Sequence, residues 1–329
     1  MNSTFHPLLT ILLISISYLF SINSYADWFK SKQAIMGTEI RLEFWLEDST
    51  KADLIINTIM AEMHRIDVLM SPFKIDSELS KLNRLGASQK VKLSEELFNL
   101  INKSITISEL TKGAFDVTFA SIGNLYDYRN NKKPTQQQIQ SNLSKINYKH
   151  LILNKQDHSI KFAKSGVVID LGGIAKGHAV DKSIAILKSQ GIQYGLISAG
   201  GDTRIIGDHR GRPWVTGIRD PRVKGKSAIL IPLSNIAIST SGDYERFFIE
   251  NGVRYHHIIS PKTGQSIKSV RSVSVIGPDS TSCDALSTSL FVLGSNKALK
   301  LINQIDKFDA IIIDSTGKLL FSSGLQNPK

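Results

Sequence analysis

The sequence predicts an α+β fold with mostly antiparallel sheets, on three observations. From residue 166 onward, short apolar strands are joined by Gly-containing turns. The helical stretches among them are few and do not alternate regularly with strands, as a doubly wound parallel sheet would require. At 329 residues and 41% apolar content, the chain has ample material for a large buried core.

Taken in order, residues 38–46 (TEIRLEFWL) alternate like a strand. Residues 51–70 place Leu54, Ile55, Ile59, Met63, Ile66 and Met70 at helical spacing, and Ser71-Pro72 makes a turn. Ser94 opens an amphipathic helix through Leu97, Leu100, Ile101 and Ile105, closed near Gly113. The polar stretch 129–147 is a surface excursion in which Thr135, after Pro134, is placed to cap a helix. GVVIDL is predicted as a strand and Ile174 to Gln190 as a helix stopped by Gly191. The runs GLISA, TRIIG, PWVTGIR, SAILIPL, NIAIST, YHHIIS and SVSVIG read as strands. Asp284 to Leu293 is a helix ended by Gly294, and FDAIIID and KLLFS close the chain.

Residues 1–26 contain no Asp, Glu, Lys or Arg, and Leu8 to Phe20 is apolar but short for a membrane span. Ser24-Tyr25-Ala26 follows as a small-x-small pattern, so 1–26 reads as a signal peptide and 27–329 as a single domain. The expected location is periplasmic, and no Cys near the junction offers a lipid attachment point. The one cysteine, Cys283, excludes an internal disulfide framework and a thiolate zinc site. The net charge of +11 raises a nucleic-acid reading, but the basic residues form no long block and no nucleic-acid motif is present. On an exported protein that charge would instead steer phosphate-bearing substrates, acidic partners or anionic headgroups, allowing peripheral membrane association.

Four segments carry chemistry. In Asp170-Leu171-Gly172-Gly173-Ile174-Ala175-Lys176-Gly177-His178, a strand delivers Asp170 to a Gly-Gly turn and then a helix start. Such a turn is either a phosphate cradle, with Lys176 as a mobile cation, or a tight strand–helix turn. It is not a P-loop, because His178-Ala179 replaces Lys-Ser/Thr. Ala199-Gly200-Gly201-Asp202 admits a flat ligand or another backbone, or simply forms a hairpin. His256 and His257 are adjacent, so in a strand only one of them faces a given site. Asp284 and Thr288 stand four apart on one helix face, a hard-oxygen pair suited to Mg²⁺, or else a capping Asp and a packed Thr. Hydrolase and zincin signatures are absent.

Together these segments, in this order, resemble the ApbE family of FAD:protein FMN transferases. The likeness also takes in Met36-Gly37-Thr38, DSELSKLN from Asp76, GAFDVT from Gly113, Pro213-Trp214, TSGDYERF from Thr240, YHHIISPKTG from Tyr255 and CDALSTSLFVLG from Cys283. The resemblance implies an α+β fold that binds FAD with Mg²⁺ (or Mn²⁺) and moves FMN to a Thr or Ser hydroxyl of an acceptor protein, releasing AMP. It implies acceptors among subunits of membrane redox complexes of the NADH:quinone reductase and Rnf types. Flavin contacts carried over fall on Met36, Phe73, Ala114, Phe115, Asp116, Asp170, Lys176 and Ile258 or Ile259, with Gly172, Gly173, Gly200 and Gly201 at the two turns. Metal contacts fall on the backbone at Gly173 and Ala175 and on Asp284 and Thr288. Phe73 stands where many members have Tyr, and Ser287 where some have a second acid, which leaves the metal site with one charge fewer. His257 is the expected proton acceptor, with Asp284 as second choice. The rival readings are FAD hydrolysis to FMN and AMP, and a non-catalytic flavin-binding protein.

Overall fold

The computed structural model describes residues 26–326, so the predicted signal peptide lies, but for Ala26, outside the described residues. Strands β1 (Asp27–Ile35) and β2 (Thr38–Leu46) form a hairpin with Ile35 opposite Thr38. Its two-residue turn holds Met36 at φ 54° and Gly37 at φ 70°. Left-handed conformation at both positions matches the twist of the paired strands, but for Met36 it costs about 1 kcal/mol. Helix α1 (Ala52–Met70) follows and buries Ile55, Ile59, Met63, Ile66 and Met70, the predicted stripe less Leu54, which is exposed.

Residues 71–174 pack into the same core as β1, β2 and α1. They contain α2 (Glu78–Leu85), β3 (Val91–Lys92), α3 (Glu95–Leu110), the short α4 (Ala120–Gly123), α5 (Gln136–Leu143), β4 (Leu151–Asn154) and β5 (Ser159–Phe162). Ser94 caps α3 by accepting from Leu97 N, and Thr135 and Gln138 form a reciprocal capping box on α5. Strands β3, β5 and β4 make a small antiparallel sheet.

The second half begins with α6 (Ala175–Ser189), β6 (Gly195–Ala199), β7 (Asp202–Ile206), β8 (Trp214–Arg219), β9 (Ser227–Leu233) and β10 (Ala237–Gly242). It continues with β11 (Phe247–Glu250), β12 (Val253–His256), β13 (Val270–Gly277), α7 (Ser280–Leu293), α8 (Ser295–Ile302), β14 (Asp309–Asp314), β15 (Leu319–Phe321) and α9 (Ser323–Gln326). The main sheet runs β1-β2-β6-β7-β10-β13-β14-β15, and every neighbouring pair is antiparallel. This is the predicted α+β architecture.

Both faces of the main sheet are covered, which explains the unbroken apolar run in DAIIID. Ala310 and Ile312 join Leu286, Leu290 and Phe291 of α7 on one face. Ile311 and Ile313 join Trp214, Ile218 and Leu233 of the β8–β9 hairpin on the other. Among the described residues no helix is long and apolar enough to cross a membrane.

Two sequence expectations need correction. GVVIDL is extended but belongs to no sheet: Val168 N donates to Ser121 Oγ, Ile169 pairs with the Asn83 amide through both backbone groups, and Asp170 N donates to Val117 O. Buried side chains replace the ladder, a substitution that hydropathy does not reveal. The helix expected from Asp284 starts at Ser280, with Asp279 as its N-cap. Asp284 is therefore not a capping residue of its own helix.

Candidate active site

The site is organised by a close crossing of α6 and α7. A Cβ on Gly177 would lie 2.3 Å from Ser280 O and 2.9 Å from Asp284 Cβ, so only glycine lets the two helices meet there. At the crossing each helix caps the other. Asp181 of α6 accepts from Ser280 N at 2.9 Å and Thr281 N at 2.8 Å, at the start of α7. Asp284 of α7 accepts from Gly177 N at 3.1 Å, in the first turn of α6, whose own N-cap residue, Ile174, supplies no side chain.

Lys176 lies beside that bond. Its ammonium is 2.6 Å from Asp202 Oδ2 and 3.3 Å from Asp284 Oδ2. Asp202 and Asp284 are 2% and 3% exposed, while the Lys176 side chain that joins them is only partly buried. Burial, then the charge of Asp202, pushes the Asp284 carboxyl up to about 7, against the pull of Lys176 and Gly177 N–H. Burial works against the Lys176 ammonium, but Asp202 and Asp284 outweigh it and hold the group above the ordinary lysine range. Asp202, the third member, is the acid of the AGGD segment, and its place beside Lys176 comes from the packing of β7 on α6, which local spacing does not encode.

Thr288, one turn after Asp284, sits 3.1 Å from Ser241 Oγ. A Cβ on Gly173 would lie 3.3 Å from Thr288 Oγ1 and 3.3 Å from the Phe115 ring, so the Gly-Gly turn is pressed against this hydroxyl. Gly172 N donates to Asp170 Oδ1 at 2.6 Å, and Ala175 N donates to Leu171 O. Burial raises the Asp170 carboxyl, partly offset by Gly172 N–H and by the charges of Arg246 and Lys176. The structure thus brings Asp170, Gly172, Gly173, Lys176, Asp284 and Thr288 together. Ser287 is fully buried, donates to Asp284 O at 2.9 Å and lies 2.8 Å from Ser241 Oγ, so its hydroxyl is engaged within the protein.

The remaining predicted residues divide by role. A Cβ on Gly200 would lie 2.7 Å from Thr38 Oγ1, and one on Gly201 2.6 Å from Thr240 O. The close approach these glycines permit is that of the protein's own strands. Asp116 uses both carboxylate oxygens on Thr118 and Tyr148 N. Ala114 and Phe115 are buried beside it. Ile258 packs into the cluster under α7, and Ile259 into a separate one with Ile122, Tyr126 and Ile139. Phe73 is 79% exposed on a loop held down by Ser77 Oγ to Ser71 O and by Arg84 to Ile75 O. Met36 borders an open groove of about 590 Å³ that is also lined by Lys32, His64 and Lys74. Thr38 of that groove touches the Gly200 turn, and a Cβ on Gly37 would lie 3.6 Å from the Arg246 guanidinium. The groove thus borders the Gly200 turn through Thr38 and the Arg246 guanidinium through Gly37.

The two histidines differ, but not by strand alternation: the strand expected over YHHIIS ends at His256, and His257 lies in the bend that follows. His256 is locked: one ring nitrogen is 2.6 Å from Ile267 O and the other accepts from Ile258 N. Nδ1 of His257 is buried and has no hydrogen-bond partner among the described residues. Burial, then the charges of His256, Arg246 and Lys176, pulls the His257 imidazole down to about 3. It is neutral throughout the physiological range, well below the ordinary pKa on which its expected role as a base rested.

The decisive comparison is with known families: residues 36–312 match the ApbE family as a whole. This chain belongs to the ApbE family. It is 33% identical over 279 residues to the FAD:protein FMN transferase of Haemophilus influenzae, covering 81% of each chain. It is 31% identical over 304 residues to that of Vibrio cholerae, covering 88% of this chain and 90% of the relative. The ApbE protein of Thermotoga maritima superposes with a TM-score of 0.84 at 34% identity, over 91% of this chain and 98% of that one. The flavin transferase ApbE of Vibrio cholerae does so with 0.82 at 29%, over 92% and 99%. The ApbE fold thus accounts for almost all of the described chain.

The donor set at Asp284 fits a hard divalent cation. Among the described residues no three His, Cys, Asp or Glu side chains gather to form a cage. Asp284, the Thr288 hydroxyl and the backbone at Gly173 and Ala175 offer oxygens only, and the Lys176 ammonium already stands as a cation between two buried carboxylates. When both carboxylates are ionised the cluster has two acids to one ammonium, an imbalance that the high Asp284 pKa reflects and that a bound cation would relieve.

Proposed function

We propose that this enzyme transfers FMN from FAD to a Thr or Ser hydroxyl of an acceptor flavoprotein, with release of AMP. The observation that carries this reading is the buried Asp202–Lys176–Asp284 cluster against the Gly172-Gly173 turn, in a chain whose relatives bear that activity. The acceptor oxygen attacks the FMN-side phosphorus of FAD. The bond from that phosphorus to the bridging oxygen breaks, and the bridging oxygen leaves with AMP. Mg²⁺ or Mn²⁺ held by Asp284, Thr288 and the Gly173–Ala175 backbone would supply Lewis-acid stabilisation of the charge developing on the phosphates. Lys176 and Arg246 attract and orient the phosphates. Met36 and Phe73 offer apolar surface to the flavin ring.

His257 is assigned the proton of the attacking hydroxyl. In the free enzyme its proton affinity is low, in part because Arg246 and Lys176 are near. Phosphates bound by those two cations would cancel their field and raise the imidazole toward a useful base. The uncharged segment 1–26 supports an exported enzyme, and the acceptor class that fits this location is the extracytoplasmic subunits of membrane redox complexes. The test is incubation with FAD, Mg²⁺ and such a subunit, followed by a denaturing gel. Flavin fluorescence on the acceptor band is expected; free FMN alone would make the chain a hydrolase.

A further inference from the structure

A second polar cavity is lined mainly by basic side chains, the opposite sign to the acids around Asp284. It measures about 280 Å³ and is lined by Arg222, Arg254, Lys268 and Arg271, with Asp243 as the one carboxylate and His256 at one wall. The His256 ring is occupied by Ile267 O and Ile258 N, and burial lowers its pKa, so it adds no charge at neutral pH. Four cations face one anion. Outside the lining, Asp220 supplies part of the counter-charge to Arg222 and Arg271 while accepting from Arg222 N and Val223 N, and Asp314 accepts from the amides of Thr316, Gly317 and Lys318.

Two of the cations are held in place. Arg222 donates from both terminal nitrogens to Asp243, at 2.8 and 2.6 Å. Arg254 stacks over the Phe247 ring with its guanidinium carbon 3.8 Å from the centroid, and its Nε is 3.9 Å from Asp243 Oδ2. Among the described residues neither Lys268 nor Arg271 forms a salt bridge, although Arg271 acts electrostatically on Asp220. Burial disfavours the charge on Arg254; Asp243 opposes that, and the proximity of Arg222 adds a smaller push in the same direction as burial. An oxyanion on guanidinium groups adds counter-charge through charge-assisted hydrogen bonds. The volume lies below the roughly 300–1,000 Å³ of sites for drug-sized ligands, which selects a small anion over a dinucleotide.

We infer that this cavity, between β12 and the start of β13, is a binding site for a phosphate dianion, separate from the flavin-nucleotide site. The test is a titration of the ¹⁵N-labelled full chain with inorganic phosphate at constant ionic strength, with the enzyme saturated by FAD. Saturable shifts are expected at the amides of Val253–His256 and Lys268–Arg271. The double variant Lys268→Gln/Arg271→Gln should bind phosphate about tenfold or more weakly while keeping its melting temperature. Arg271→Lys should retain most of the affinity. Absence of saturable shifts, equal affinity in the double variant, or shifts confined to Gly172, Gly173 and Lys176 would overturn the proposal.

Discussion

Asp284 and Asp243 are carboxylates exposed by only 3% and 5%, each met by long basic side chains, yet their surroundings are inverted. Around Asp284 two acids share one lysine. Around Asp243 one acid serves Arg222 and Arg254, with Lys268 and Arg271 beyond. The two clusters lie close together along the chain: Ser241 faces Thr288 and Asp243 faces the arginines, while His257 faces Lys176 and His256 faces the basic cavity. The pairing itself therefore does not reveal what a buried ionic cluster is for. The residual sign does: negative excess suits a cation, and positive excess suits an anion.

Removing the minority charge should be the most damaging change in either cluster. Lys176→Met leaves Asp202 and Asp284 facing each other without compensation and should destabilise the fold by about 3–5 kcal/mol in chemical denaturation. Added Mg²⁺ should recover part of that loss. Removing a majority charge should spare the fold and abolish function: Asp284→Asn keeps the Lys176–Asp202 pair and should lower transfer roughly 10²–10³-fold with little change in melting temperature. Asp243→Asn, by contrast, removes the minority charge of the basic cluster and should cost about 1–3 kcal/mol. Equal stability of these two Asp→Asn variants would break the comparison.

A smaller effect follows from pH. The Asp284 carboxyl is raised from its unfolded value near 4 to about 7, so the folded chain holds a proton there that the unfolded chain has lost. That contribution to stability is present below about pH 4 and is lost as pH rises toward 7. Melting temperatures of the metal-free protein should show this decline, and Asp284→Asn should flatten it. The smallest effect belongs to the hairpin turn. Met36→Gly relieves the left-handed strain and should shift stability by no more than about 1 kcal/mol, while raising KM for FAD.

Much of this was legible in the sequence, for physical reasons that vary by residue. Helix stripes, caps such as Ser94 and Thr135, and the order of strands follow from periodicity and local hydrogen bonding, and they set the fold. Lys176, Asp284 and Thr288 could be named because turn and helix spacing fix their faces. Asp202, Arg246 and Ser241 could not, because their roles arise only when β7, β10 and the segment before β11 meet α6 and α7. For the same reason GVVIDL looked like a strand: its partners, Asn83 and Ser121, are distant side chains. The fall of His257 to about 3 depends on burial and on two distant cations, which spacing does not encode.

In the proposed flavin transfer, the paired acids around Asp284 hold the cation. That role is tested most directly by AMP release as a function of Mg²⁺ concentration, with FAD and a hydroxyl-bearing acceptor flavoprotein, for the native chain and Asp284→Asn. The native enzyme should show saturable Mg²⁺ dependence, with AMP matched one for one by FMN bound to the acceptor, and the variant should lose that dependence. Metal-independent release, or an unchanged Mg²⁺ response in Asp284→Asn, would contradict that role.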